Sequence, residues 1–255
     1  KLYKLEQNYR STKNIVEAAN ALIKNNEHQI KKDVWTHNDE GELIVISEAS
    51  TDNDEGRLVV NTIHELSSEN QYSNFAVLYR TNAQSRTIEE SLRKMSIPYK
   101  IYGGLSFYQR KEIKDLLAYF NFTINQKDDE SLKRIINYPA RGIGSTTIQK
   151  IIMISNEQNC SMWEAINKIA NFNNLFNKGT IKKIEDFNIM MNNFILSSKS
   201  SNAYETAELI SKESGIVSLH KHDQSIEGIS RSENIQELLN GIKDFCDNFE
   251  NKDNP

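Results

Sequence analysis

Along the first 110 residues the apolar positions alternate between a helical and a strand period. Ser11 can cap a helix whose stripe, Ile15, Ala18, Ala19, Leu22 and Ile23, recurs at i, i+3, i+4 and i+7. After a turn at Asn38–Gly41, Leu43–Ser47 reads as a strand, and Gly56–Leu66 returns to helical spacing through Leu58, Val59, Ile63 and Leu66. Phe75–Tyr79 is a short apolar run of the kind buried on both faces of a parallel sheet. Asn82–Met95 reads as a helix, and Pro98–Tyr102 as a strand closed by Gly103 and Gly104. Strand and helix in this order predict an α/β layer, and so few strands predict an incomplete parallel sheet.

From about Phe107 the strand period disappears. Arg110–Asn125 carries an apolar face through Ile113, Leu116, Leu117, Phe120 and Ile124, and a second helix runs from Asp129 or Ser131 to Tyr138-Pro139. Further helices are expected near Thr146–Ser155, Met162–Ile169, Ile181–Leu196, Tyr204–Lys212 and Ile229–Phe249, with Asn171–Asn177 as a polar loop. The pattern predicts two domains: an α/β portion over residues 1–110 and an all-α portion over 111–255.

The 255 residues carry 31 Lys+Arg against 35 Asp+Glu, a net charge of −4, so bulk positive charge is not the means of coating a nucleic acid. A local basic site on an acidic body stays open. Cys160 and Cys246 stand far apart without a CxxC, which argues against structural zinc and a secreted disulfide framework and for a reducing, cytoplasmic setting. The five histidines are scattered and no metal site is expected; no apolar run is long enough to cross a bilayer, so no membrane partner is expected. The opening Lys-Leu-Tyr-Lys and the polar end Asn251–Pro255 read as cuts through a longer polypeptide.

The sequence holds no GxxxxGK[ST] loop, GxSxG elbow or HExxH pair, so this chain is not expected to be catalytic by itself. Three segments carry possible chemistry. In Leu5–Ser11, Arg10 precedes a helix N-terminus, where the dipole favours anions; a phosphate beside it would explain the position, with Tyr9 free to stack on a base, and an ordinary surface arginine is the other reading. In Leu78–Arg86, the donors Arg80, Asn82 and Gln84 follow a predicted strand, where α/β sheets place ligands, unless Asn82 merely caps the next helix. In Tyr138–Lys150, a Gly142-Ile143-Gly144 turn joins two helices in the manner of a helix-hairpin-helix, and residues 131–156 contain Lys133, Arg134, Arg141 and Lys150 but no acid. Such a hairpin would grip duplex phosphates without reading sequence; a tight turn with solvated charges is the alternative.

Together these segments resemble the UvrD/PcrA/Rep group of superfamily 1 DNA helicases. Leu5–Ser11 looks like motif IV, Ala76–Glu90 and Pro98–Asp115 like the following part of the second RecA-like domain, and Arg141–Thr147 like the Gly-Ile-Gly motif of the inserted helical 2B domain. The resemblance is carried from Leu5 to about Ile154, and beyond that only by helical pattern and length. It implies the middle of an ATP-dependent 3′-to-5′ DNA helicase that uses ATP and Mg2+ when whole, neither expected to bind tightly to this piece. Arg10 would be the motif IV arginine that reaches the ATP γ-phosphate, with Tyr9 against the adenine. Arg80 and Asn82 would contact single-stranded DNA, and Gly142, Ile143 and Gly144, helped by Arg141, Thr146 and Lys150, would hold the duplex. The implied partners are DNA with a single-strand/duplex junction and repair or replication accessory proteins. Walker A, Walker B and motifs V and VI are absent. A subunit of a recombination helicase–nuclease, or a non-catalytic DNA-junction or protein-interaction module, are the competing readings.

Overall fold

A helix closes its own backbone hydrogen bonds, whereas a strand depends on a neighbour to receive them, and this difference divides the expectations that hold from those that do not. The computed structural model describes residues 3–27, 31–102 and 104–250, with side chains to residue 247. Gly103, His28 and the polar end 251–255 lie outside the described residues. The described residues divide into two compact units, the first ending at Ser50 and the second beginning at Thr51.

The first unit contains one helix, α1 (Lys13–Ile23), with Val16 its buried apolar residue. Thr12 rather than Ser11 takes the cap position, and Asn8 Oδ1 accepts the N–H groups of Arg10 and Ser11, both at 2.8 Å. Asparagine side chains tie the remaining backbone together: Asn20 Nδ2 donates to Val34 O at 2.7 Å, and Asn14 Nδ2 to Gly41 O at 3.1 Å. The expected strand 43–47 does not form, and Leu43, Val45 and Ile46 are 82%, 83% and 93% exposed.

The second unit is helical: α2 (Asp52–Leu66), α3 (Ser85–Lys94), α4 (Lys111–Ile124), α5 (Asp129–Ile135), α6 (Ser145–Glu157), α7 (Met162–Asn167), α8 (Lys178–Ser197), α9 (Ala203–Glu213), α10 (Ile216–Lys221) and α11 (Ile226–Glu250). The helix expected over Gly56–Leu66 begins earlier because Thr51 caps it, accepting from Asp54 N, and three acids occupy its first turn. The six-residue α10 is too short to show a periodicity of its own.

The incomplete RecA-like parallel sheet is overturned. Among the described residues there is no strand, and one isolated parallel bridge joins Gln7 to Trp35, through Asn8 N to Trp35 O at 2.8 Å and Trp35 N to Glu6 O at 2.9 Å. The run Phe75–Tyr79 shows why. Phe75 and Val77 pack one side against Val60, Ile63, Ile88, Leu92 and Ile97, while Leu78 on the other side is 90% exposed. A run apolar on both faces promises two covering layers; here one face is covered and no neighbouring strand supplies a ladder.

A larger apolar cluster joins α4 to α11 around Tyr119, Phe122, Ile135, Phe187 and Phe194. The seam between it and the α2–α3 cluster is polar. Buried Arg86 on α3 donates through Nε to Glu237 of α11 at 2.8 Å and pairs with Glu90 at 3.1 Å. Burial alone would lower the Arg86 pKa, but Glu90 and Glu237 outweigh it and raise it. Gly241 makes the approach possible: a Cβ there would lie 2.5 Å from the guanidinium. Buried Glu89 accepts from Tyr99, Ser106 and the Phe107 N–H, and Tyr108, bonded to Glu90 at 2.6 Å, has its pKa pushed up to about 12 by burial and that carboxylate. A cavity of about 1240 Å³ opens beside the seam. Arg86→Met, which strands two partly buried carboxylates, is expected to lower stability by about 3 kcal/mol in urea denaturation. A loss below about 1 kcal/mol would show that water already serves those carboxylates.

Candidate nucleic-acid interface

Local chemistry builds each site from its backbone outward. In the first unit Asn8 folds residues 8–11 into a turn and leaves Tyr9 79% exposed, its hydroxyl donating to Gln7 Oε1 at 2.8 Å. The exposed Arg10 guanidinium takes no hydrogen bond or ion pair among the described residues, and no acid occupies the first turn of α1. A cation without a partner beside a helix start is suited to an anion.

In the second unit Gln84 shapes the loop before α3, its Oε1 accepting the N–H groups of Arg80 at 2.9 Å and Thr81 at 3.0 Å. Gln84 takes the N-cap position of α3, so Asn82 does not cap that helix. The Asn82 carbonyl accepts from Arg110 at 2.8 Å, and its side-chain amide reaches Ser230 Oγ at 3.4 Å. Arg80 and Asn82 are both exposed.

The hairpin between α5 and α6 is organised by Asn137, whose Oδ1 accepts from Arg141 N at 2.9 Å and Ile143 N at 3.1 Å. Ile143 is fully buried and anchors the turn. Gly142 sits at φ +72°, a left-handed conformation that favours glycine, and a Cβ there would lie 2.5 Å from Lys183 Nζ. Gly144 is the N-cap of α6. Its carbonyl takes the N–H groups of Thr147 and Ile148, which leaves those of Ser145 and Thr146 as the helix's outward donors among the described residues. Thr146 and Lys150 are exposed.

The four basic residues of this stretch are largely engaged within the fold. Lys133 pairs with Glu130 at 2.7 Å, and Arg134 with buried Asp115 at 2.7 Å. Lys150 Nζ donates to Leu175 O at 2.8 Å. Arg141 points inward: it donates to Ile135 O at 3.0 Å, Pro139 O at 3.2 Å and Ser214 O at 2.8 Å, and lies over the rings of Tyr119 and Phe187. These contacts hold the Arg141 guanidinium against the hairpin carbonyls and the carbonyl of Ser214. Burial pushes the pKa of neighbouring Tyr119 up to about 12, so its hydroxyl remains a donor, to Ile135 O and Tyr138 O. Lys183, exposed and without a carboxylate partner among the described residues, is the cation that sequence reading missed. It arrives from α8, some forty positions downstream, and no local spacing signals it.

The family described as the UvrD-like helicase C-terminal domain matches residues 3–255. The chain belongs to that family. This UvrD-like chain is 44% identical over 246 residues to the ATP-dependent DNA helicase PcrA of Staphylococcus epidermidis and 40% identical over 246 residues to that of Staphylococcus aureus, in each case 96% of this chain and 33% of the relative. It is also 39% identical over 251 residues to the PcrA of Leuconostoc citreum, 98% of this chain and 33% of the relative. The UvrD-like chain thus spans about a third of the length of the curated relatives it matches. Among its described residues no helix is long and apolar enough to cross a membrane, and no group of three His, Cys, Asp or Glu could hold a metal ion.

Proposed function

We propose that this UvrD-like chain is the DNA-contacting middle portion of an ATP-dependent 3′-to-5′ DNA helicase. Residues 1–110 belong to its second motor domain and 111–255 to its inserted helical domain. In support of that boundary, the apolar cluster of α2 and α3 gives way near Phe107 to the cluster of α4–α11. Its substrate is DNA with a junction between single strand and duplex, and repair or replication proteins are its accessory partners. Arg10 supplies one wall of the nucleotide site and Tyr9 the face for a base; the exposed, unpaired guanidinium fits an anion there. ATP supplies the free energy, and Mg2+ accompanies the nucleotide in the longer protein.

The observation that carries the DNA assignment is the α5–α6 hairpin. Gly142 presents bare backbone, Ser145 and Thr146 present N–H groups, and Lys183 stands beside Gly142. Backbone donors and point charges of this kind bind phosphates without reading bases. The test is fluorescence anisotropy of this chain with a blunt duplex over a salt series. Lys183→Ala is expected to weaken binding on every duplex sequence alike and to reduce the slope of log K against log salt by about one. Absence of duplex binding at low salt would overturn the hairpin assignment.

A further inference from the structure

We infer that Arg110 and Asn234 form a strut that positions the 80–84 loop for its single-strand contact and ties that loop to α11. The inference rests on the reading of Arg80 and Asn82 as single-strand contacts and concerns what holds them from behind.

Arg110, 8% exposed, sits just before α4 and divides its guanidinium between two parts of the chain. On the loop side it donates to Asn82 O at 2.8 Å and to Ser85 Oγ at 3.0 Å. On the other side it donates to Asn234 Oδ1 at 2.7 Å. Asn234, 2% exposed in α11, donates in turn to Glu112 Oε1 at 2.7 Å, so its amide is fixed in one orientation by a cation at one end and a carboxylate at the other. Asn82 Nδ2 also reaches Ser230, one turn before Asn234 on the same helix.

The atom that Arg110 holds is a main-chain carbonyl of the loop, so this contact does not occupy the Arg80 guanidinium. With Gln84 holding the N–H groups of Arg80 and Thr81, the loop backbone is fixed from both sides while the Arg80 guanidinium stays exposed. Fixing the backbone behind an exposed donor set reduces the ordering needed when a strand binds. A forked guanidinium can serve Asn82 O, Ser85 Oγ and Asn234 at once; an ammonium cannot match that geometry. Arg110 and Asn234 are thus positioning residues, and a helix some 150 positions downstream of the loop shares in its affinity for single strand.

The experiment measures this chain against two probes, a labelled oligothymidylate and a blunt duplex, by anisotropy at one low salt concentration. Arg110→Lys and Asn234→Leu are each expected to weaken oligothymidylate binding about ten-fold while duplex binding at the hairpin stays within about two-fold. The double variant is expected to be no weaker than the weaker single variant, because both break one strut. Amide exchange in residues 80–85 is expected to rise in both. Equal weakening on both probes would overturn the strut as a specific positioning device and mark it as general support of the fold. Unchanged oligothymidylate binding in both variants, with loss in Arg80→Ala/Asn82→Ala, would overturn the strut and leave the single-strand reading standing. No loss in Arg80→Ala/Asn82→Ala would remove that reading and the strut with it.

Discussion

Arg141→Ala is expected to destabilise the chain by about 4 kcal/mol and to abolish duplex binding at the hairpin. Three carbonyls, those of Ile135, Pro139 and Ser214, lose a charged donor at once, and among the described residues the first keeps two other partners, the Tyr119 hydroxyl and the Tyr138 N–H. Hydrogen bonds from a charged donor each contribute about 1.5–3 kcal/mol, and their sum is reduced because one side chain makes them all. The contact to Ser214 also ties the hairpin to the segment between α9 and α10, so its loss frees the turn that presents Gly142 and the α6 N–H groups. Lysine at this position can serve at most part of the set, so Arg141→Lys should recover less than half of the loss. Urea denaturation paired with duplex anisotropy checks both effects. Full duplex affinity retained alongside a stability change under about 1 kcal/mol would show that the inward guanidinium does not hold the hairpin.

In a full-length helicase carrying this chain, Arg10→Ala is expected to lower DNA-stimulated ATP turnover about 10³-fold, as loss of an arginine that stabilises a transferring phosphoryl group does. The same substitution should change the stability of the chain by less than about 0.5 kcal/mol, because Arg10 is exposed and its turn is held through its backbone N–H by Asn8. The contrast separates a role in chemistry from a role in folding. Steady-state ATPase measurement with and without single-stranded DNA decides it, and near-normal turnover would return Arg10 to an ordinary surface arginine.

The hairpin was legible in the sequence because its signals are local: a proline after one helix, two glycines spaced by one residue, and a serine and threonines opening the next. Helices α1 to α9 and α11 were legible for the same reason, with ends shifted where a cap such as Thr51 lies outside the apolar stripe. The segments Leu5–Ser11, Ala76–Glu90, Pro98–Asp115 and Arg141–Thr147, taken together, pointed to the family that the comparison establishes over residues 3–255.

Three features were settled only by tertiary structure. The apolar runs at 43–47 and 75–79 satisfy the local pattern of strands, but a ladder needs a partner backbone at the right distance, and the described residues supply none. The charge count of residues 131–156 counted Arg141 as part of a basic surface. Its actual direction depends on Ser214, Tyr119 and Phe187, which approach from other helices and turn the guanidinium inward. Lys183 joins the hairpin from α8 by packing alone. By itself the sequence determined the helices, the turn and the family, because those depend on neighbours along the chain. Which cations face outward, and whether apolar runs become a sheet, depend on groups distant in sequence that meet only in the folded structure.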